Sequence, residues 1–329
     1  MNKKLSLAMV LSLIVVLVFT SVSFAQQTLK MGMMEAKIQP AGEAAGIFAE
    51  LVEKYTDGKY KVDVYYGAAL GETGDVMEQV MDGKVQLYWG GISWLENIVD
   101  DFKIFSLNWA FDDNDHLAKF CETERFEEMK AELEKLNLKL IGYYAYRNPR
   151  NLLTKKPILS IEDIQGVLLR VPPQPMYLRS WAAVGANPTQ LDYGEVYMAL
   201  RQGVIEGMEN PIESIYGRSF QEVASYLTFT QHLLNPYAIV MTADLFNGLD
   251  KDTQDTFIRA AKESGQWFAD NVGAVEEEYI REMMKKNNTV FIRIDTTPFS
   301  EKIRPLAHEL EGKGEWSEGL FDYVRSLVE

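Results

Sequence analysis

The chain has 329 residues, 25% of them charged, with 48 acidic against 33 basic side chains and a formal net charge of -15. Such an acidic surface opposes nucleic acid and anionic membranes, so an anionic ligand must be held by a local basic site against the field of the whole. Cys121 is the only cysteine, which excludes an internal disulfide, and its acidic and apolar neighbours suggest a buried or inert thiol.

The chain opens with Lys3 and Lys4, followed by Leu5–Phe19, which is apolar apart from Ser6 and Ser12. Ser23-Phe24-Ala25 then offers small residues before a cut. A secretory signal cleaved after Ala25 is expected, because an apolar run of about 15 residues falls short of the roughly 20 that span a bilayer. No cysteine follows the run to carry a lipid, and no second long apolar run exists. The mature chain is therefore expected to be soluble in the periplasm. Loss of the two lysines leaves 31 basic against 48 acidic side chains, a net charge of -17. A mature chain of roughly 300 residues usually divides into two lobes of about 150.

Helical and strand periods then alternate. Leu29–Met33 reads as a strand, and Glu43–Tyr55 as an amphipathic helix with Ala45, Phe48, Leu51, Val52 and Tyr55 on one stripe. Strands are predicted at Tyr60–Tyr66, Val85–Trp89 and Lys139–Tyr144, with helices at Asp75–Met81 and Glu124–Leu136. After Asn148 the pattern restarts, with a short helix at Ile161–Gln165, a strand at Val167–Val171, and helices at Pro175–Val184 and Glu195–Gln202. Strands separated by helices imply α/β lobes with mixed or parallel sheets. From Asp252 to Lys286 no proline occurs, and Phe257, Ala261, Ser264, Phe268, Val272, Val275, Tyr279 and Met283 recur at spacings of three and four. One helix of about 50 Å would run along both lobes; a break near Gly273 is the alternative. The expected division is lobe I at 26–147 and 236–272, and lobe II at 148–235 and 273–329, with segments exchanged between them.

Catalytic templates fit poorly. His116, His232 and His308 have no partner at metal-ligand spacing, and no nucleophile elbow, phosphate loop or dinucleotide fingerprint occurs. Asp112-Asp113-Asn114-Asp115-His116 lacks the glycine and closing glutamate of a calcium loop, and reads as a helix cap. The arginines are better candidates. Arg170 ends an apolar strand stopped by Pro172-Pro173, so its planar fork of donors starts from a rigid element and suits a carboxylate; a surface salt bridge is the alternative. Arg147 and Arg150 flank Pro149 at the lobe junction, and Asn210 is pinned before Pro211 with an amide able to donate. Gly90 and Gly91 permit close backbone approach, and Trp89 and Trp94 are either an apolar wall or core.

Gly166-Val-Leu-Leu-Arg170-Val-Pro, Gly185-Ala-Asn-Pro-Thr189, Glu195–Gly203 and Glu206-Gly-Met-Glu-Asn-Pro211 stand in order. Together they resemble the periplasmic solute receptors of tripartite ATP-independent periplasmic (TRAP) transporters, the dicarboxylate-receptor-like family. The resemblance covers Leu29 to the C-terminus. It implies a two-lobed binding-protein fold and a bidentate clamp by Arg170 on a ligand carboxylate, assisted by Asn210. It implies Arg150 as a second basic contact, with Arg147 as the fallback, and Tyr193 as an aromatic lining. Gly90 and Gly91 replace the polar and acidic side chains of sialic-acid receptors. Glu35 is placed to accept hydroxyl hydrogens of a sugar acid, whereas Trp89, Trp94 and Tyr193 suit an aromatic acid. The expected function is a monomeric extracytoplasmic receptor without cofactor or metal. It would bind a small organic acid (sugar acid, dicarboxylate or aromatic acid) and deliver it to the TRAP permease subunits. A receptor of an ABC importer and a secreted enzyme acting on organic acids are the rivals.

Overall fold

The computed structural model describes residues 26–328, so the expected secretory signal lies outside the described residues. Eleven strands form two sheets among these residues. The first contains β1 (Gln27–Met33), β2 (Tyr60–Tyr65), β3 (Leu87–Gly91) and β4 (Leu138–Ala145). The second contains β5 (Arg150–Thr154), β6 (Leu168–Val171), β7 (Asn187–Gln190), β8 (Gly207–Asn210) and β9 (Tyr226–Leu233). The chain then returns with β10 (Tyr237–Thr242) to the first sheet and with β11 (Val290–Arg293) to the second. The orders are β2-β1-β3-β10-β4 and β11-β9-β5-β8-β6-β7. Helices between the parallel strands explain why β1 pairs in parallel with β2 and β3, and β6 with β7 and β8.

The chain crosses between sheets at 146–149 and 234–236, and again along the helix Lys251–Asn287. That helix has 37 residues and no break at Gly273, around which its backbone is open. Phe257, Ala261, Phe268 and Val272 pack with Phe48, Trp89 and Ile239 of the first lobe, while Met283 packs with Leu153, Met208 and Phe220 of the second. The expected helix spanning both lobes is present. A third core cluster joins Phe105 and Phe126 to Tyr177, Trp181, Phe299 and Phe321, so apolar packing continues behind the junction. Cys121 is buried within it.

Several expectations need correction. Residues 161–166 form successive turns rather than a helix. The third strand begins at Leu87 and includes Gly90 and Gly91, instead of ending at Trp89. Beside these two differences, residues 313–325 bond both to Arg179 and to residues 101–112. Ser317 donates to Asp101 at 2.7 and 2.8 Å, Lys103 reaches Glu315 at 3.2 Å, and Arg325 reaches Asp112 at 2.6 Å. The acidic run does cap a helix: the Asp113 side chain accepts from the His116 N–H at 2.8 Å at the start of Asn114–Cys121.

Candidate functional site

A cavity lies between the sheets, where strands of both present their carboxyl ends. β1 and β3 deliver Met34, Glu35, Gly90 and Gly91 from one side; β6 and β8 deliver Arg170 and Asn210 from the other. Parallel pairing sets Arg170 opposite Met208, which leaves Asn210 one side-chain repeat further on, at the same edge. Carboxyl ends of parallel strands are where open α/β sheets bind ligands.

Arg147, Arg150 and Arg170 all line this cavity and all are buried. Arg150 is neutralised by Glu209, its diagonal neighbour across the β5–β8 pairing, which sets Glu209 opposite Leu152. Its Nε donates to Oε2 at 2.5 Å, and Nη2 to Oε1 at 2.8 Å and to the Glu209 carbonyl at 2.9 Å. Burial alone would raise the Glu209 carboxyl, but Arg150, aided by His232 at 3.0 Å, holds it down at about 2. Arg147 donates from Nε and Nη2 to Glu213 Oε1 at 3.0 and 2.8 Å, and to Ser214 Oγ at 2.7 Å. It also stacks 4.1 Å from the centre of the Tyr237 ring.

Arg170 differs from both. It is 2% exposed, yet its Nε and Nη2 reach only the Leu191 carbonyl, at 2.9 and 2.7 Å. Among the described residues no carboxylate pairs with it. Burial, with Glu209 acting against it, lowers its guanidinium to about 10, leaving it charged at neutral pH. A buried cation without an ion pair is costly, and a ligand carboxylate would complete it.

The wall around it is polar. Asn210 Nδ2 lies 3.4 Å from the hydroxyl of Tyr193, whose ring is flanked by Arg170 at 5.7 Å and Arg218 at 4.8 Å. Glu35 Oε1 accepts from the Tyr237 hydroxyl at 2.8 Å, while its Oε2 is buried without a partner. Glu72, Thr73 and Asp192 add further oxygens, and Trp94 supplies an aromatic face. Trp89 does not line the cavity: it is 1% exposed and packs in the first-lobe core, because alternation along β3 turns it away. A Cβ at Gly91 would stand 2.5 Å from the Asn235 amide, so the strand can pass this wall only as glycine.

Sequence reasoning missed Gln174, Tyr177, Asn235 and Tyr237, which arrive from distant elements without a motif of their own. Gln174, Tyr177 and Asn235 join the lobes. Gln174 Nε2 donates to the Ser93 carbonyl at 2.7 Å, and Asn235 Nδ2 to Ser93 Oγ at 2.9 Å. The Tyr177 hydroxyl lies 3.4 Å from Ser93 Oγ. No cluster of three or more His, Cys, Asp or Glu among the described residues is arranged to hold a metal, and no described helix is long and apolar enough to cross a membrane.

Bacterial extracellular solute-binding protein, family 7, matches residues 31–313. Solute-binding protein RD1_1052 of Roseobacter denitrificans is 30% identical over 88% of this chain and 93% of its own length. Its crystal structure with bound L-galactonate has a TM-score of 0.82 and 27% identity, over 93% of this chain and all of that one. A TRAP periplasmic solute-binding protein of Ochrobacterium anthropi with bound L-fuconate has a TM-score of 0.86 and 29% identity, also covering 93% and 100%.

Proposed function

We propose, from the premise that this chain belongs to bacterial extracellular solute-binding protein family 7, that it is a periplasmic receptor for a sugar acid. The observation that carries the reading is Arg170, a buried guanidinium with no anion. A ligand carboxylate meets its fork bidentately, and Asn210 donates beside it. The oxygens and amides of Glu35, Thr73, Gln174, Asp192 and Asn235 then suit a polyhydroxylated body better than an aromatic or aliphatic one. Two relatives of like sequence and fold carry L-galactonate and L-fuconate, both sugar acids with one carboxylate.

The lobes 26–147 with 236–272, and 148–235 with 273–329, close on the ligand by bending where the chain crosses at 146–149 and 234–236. The segment 313–325 stays bonded to both. The closed form is delivered to TRAP permease subunits.

Calorimetric titration with L-galactonate and L-fuconate tests this. Arg170→Ala should weaken binding at least about 30-fold with the fold intact, because truncating one partner of a buried charged pair costs roughly 2–5 kcal/mol. Arg170→Lys should lose most of the affinity too, since a point charge cannot form the fork. Wild-type affinity in the lysine variant would sink the bidentate clamp. Turnover of either acid that Arg170→Ala abolishes would replace the receptor with an enzyme.

A further inference from the structure

We propose that the cavity selects acids with a single carboxylate and a hydroxyl at the far end, and rejects the corresponding diacids, with Glu35 as the discriminating residue. The inference rests on the receptor reading above and extends it to the ligand's second terminus.

It follows from how charge is distributed around the cavity. Of the three lining arginines, Glu213 and Glu209 already neutralise Arg147 and Arg150. Only Arg170 is left to meet an anion. The opposite side brings Glu35, while Glu72 and Asp192 add acid from either lobe. A Cβ at Gly194, two residues beyond Asp192, would lie 3.3 Å from Glu72 Oε1, so these two acidic segments meet across the cleft. One carboxylate therefore meets Arg170, while Glu35, Glu72 and Asp192 bring acid to the rest of the cavity.

Glu35 gives this balance a direction. One of its oxygens is occupied by the Tyr237 hydroxyl at 2.8 Å, and the other is buried with no donor. An ionised carboxylate accepts hydrogen bonds and donates none. Oε2 can thus be satisfied by a ligand hydroxyl, which carries a hydrogen, and not by a ligand carboxylate, which does not. Arg147 is held toward Glu213 and Ser214 by its Nε and Nη2. Specificity here arises from an unfavourable pairing with the wrong ligand as much as from a favourable one with the right ligand.

The test is titration of the mature protein with L-galactonate and with galactarate, in which the terminal carbinol is a second carboxylate. Wild type should bind galactarate at least about 100-fold more weakly, as expected for like charges brought together out of water. Glu35→Gln keeps the size and supplies an N–H donor. It should weaken L-galactonate about 10-fold by loss of a charge-assisted bond, strengthen galactarate, and bring the ratio below 10-fold. Glu35→Ala gives the same readout if the amide variant fails to fold. Equal affinity of wild type for the two acids, or an unchanged ratio in both Glu35 variants, overturns the inference and leaves the receptor reading standing. Binding of neither acid, with capture of a non-sugar acid instead, overturns the receptor's sugar-acid assignment and this inference with it.

Discussion

At the scale of single residues, the most consequential side chain besides Arg170 is Glu209. It is fully buried between Arg150 and His232, and its carboxyl is held near 2 against the pull of burial. A carboxyl lowered below its unfolded value of about 4.3 stabilises the fold above that pH and gives the stability up as pH falls toward the folded value. Burial also depresses His232, with Glu209 acting against it. A depressed histidine destabilises as pH falls below about 6.5, where the unfolded chain takes up the proton first. Both act in the same direction, so melting temperature should decline from near neutrality into acid. Glu209→Gln strands the Arg150 charge, and should cost roughly 3–5 kcal/mol in urea unfolding while flattening the part of the acid decline below about pH 4.3. A variant with an undiminished acid decline would show that Glu209 is not its source. Arg170 and Asn210 were legible in the sequence because a strand stopped by prolines and an Asn-Pro turn mark them. Glu209 adjoins Asn210 and was passed over, since its partner Arg150 stands 59 residues away in the chain.

Among the elements, two glycines of the long helix separate packing from propensity. A Cβ at Gly265 would press within 2.9 Å of the backbone of Tyr144 and Ala145 on β4, whereas nothing lies within 4 Å of one at Gly273. Gly265→Ala should therefore destabilise by about 1–3 kcal/mol, and Gly273→Ala should stabilise by up to about 1 kcal/mol, both read from denaturant midpoints. The opposite order would contradict the seating of this helix on β4. The helix itself was visible in sequence because a buried stripe recurred over many turns without proline. Residues 161–165 misled because their cap is genuine but the segment is too short to nucleate a helix. Asp163 Oδ2 accepts from the Leu159 and Ser160 N–H groups at 2.9 and 3.1 Å, and Gly166, at φ +72°, ends the turns at once. Strand β10 went unread since it is buried along its whole length and shows no alternation.

For the whole molecule, the two-lobed plan was legible from the alternation of strands and helices and from the long helix that needs two lobes to cover it. The continuity of the core behind the junction was not, because it depends on contacts such as Trp109 against Trp181, with ring centres 6.3 Å apart, between segments far apart in the chain. That continuity leaves the cleft free to gape on one side only. Small-angle scattering should accordingly register a smaller radius of gyration on addition of L-galactonate to wild type, and no change in Arg170→Ala. Compaction of the alanine variant at the same ligand concentration would detach closure from the clamp.

Cys121 has a practical consequence. The residue is 1% exposed and burial pushes its thiol above the ordinary range, so it resists alkylating dyes while the protein is folded. Ile38, by contrast, stands 86% exposed three residues beyond Glu35. A cysteine there would be the single sulfur a maleimide fluorophore reaches, and the dye's emission would follow occupancy of the neighbouring cleft in real time.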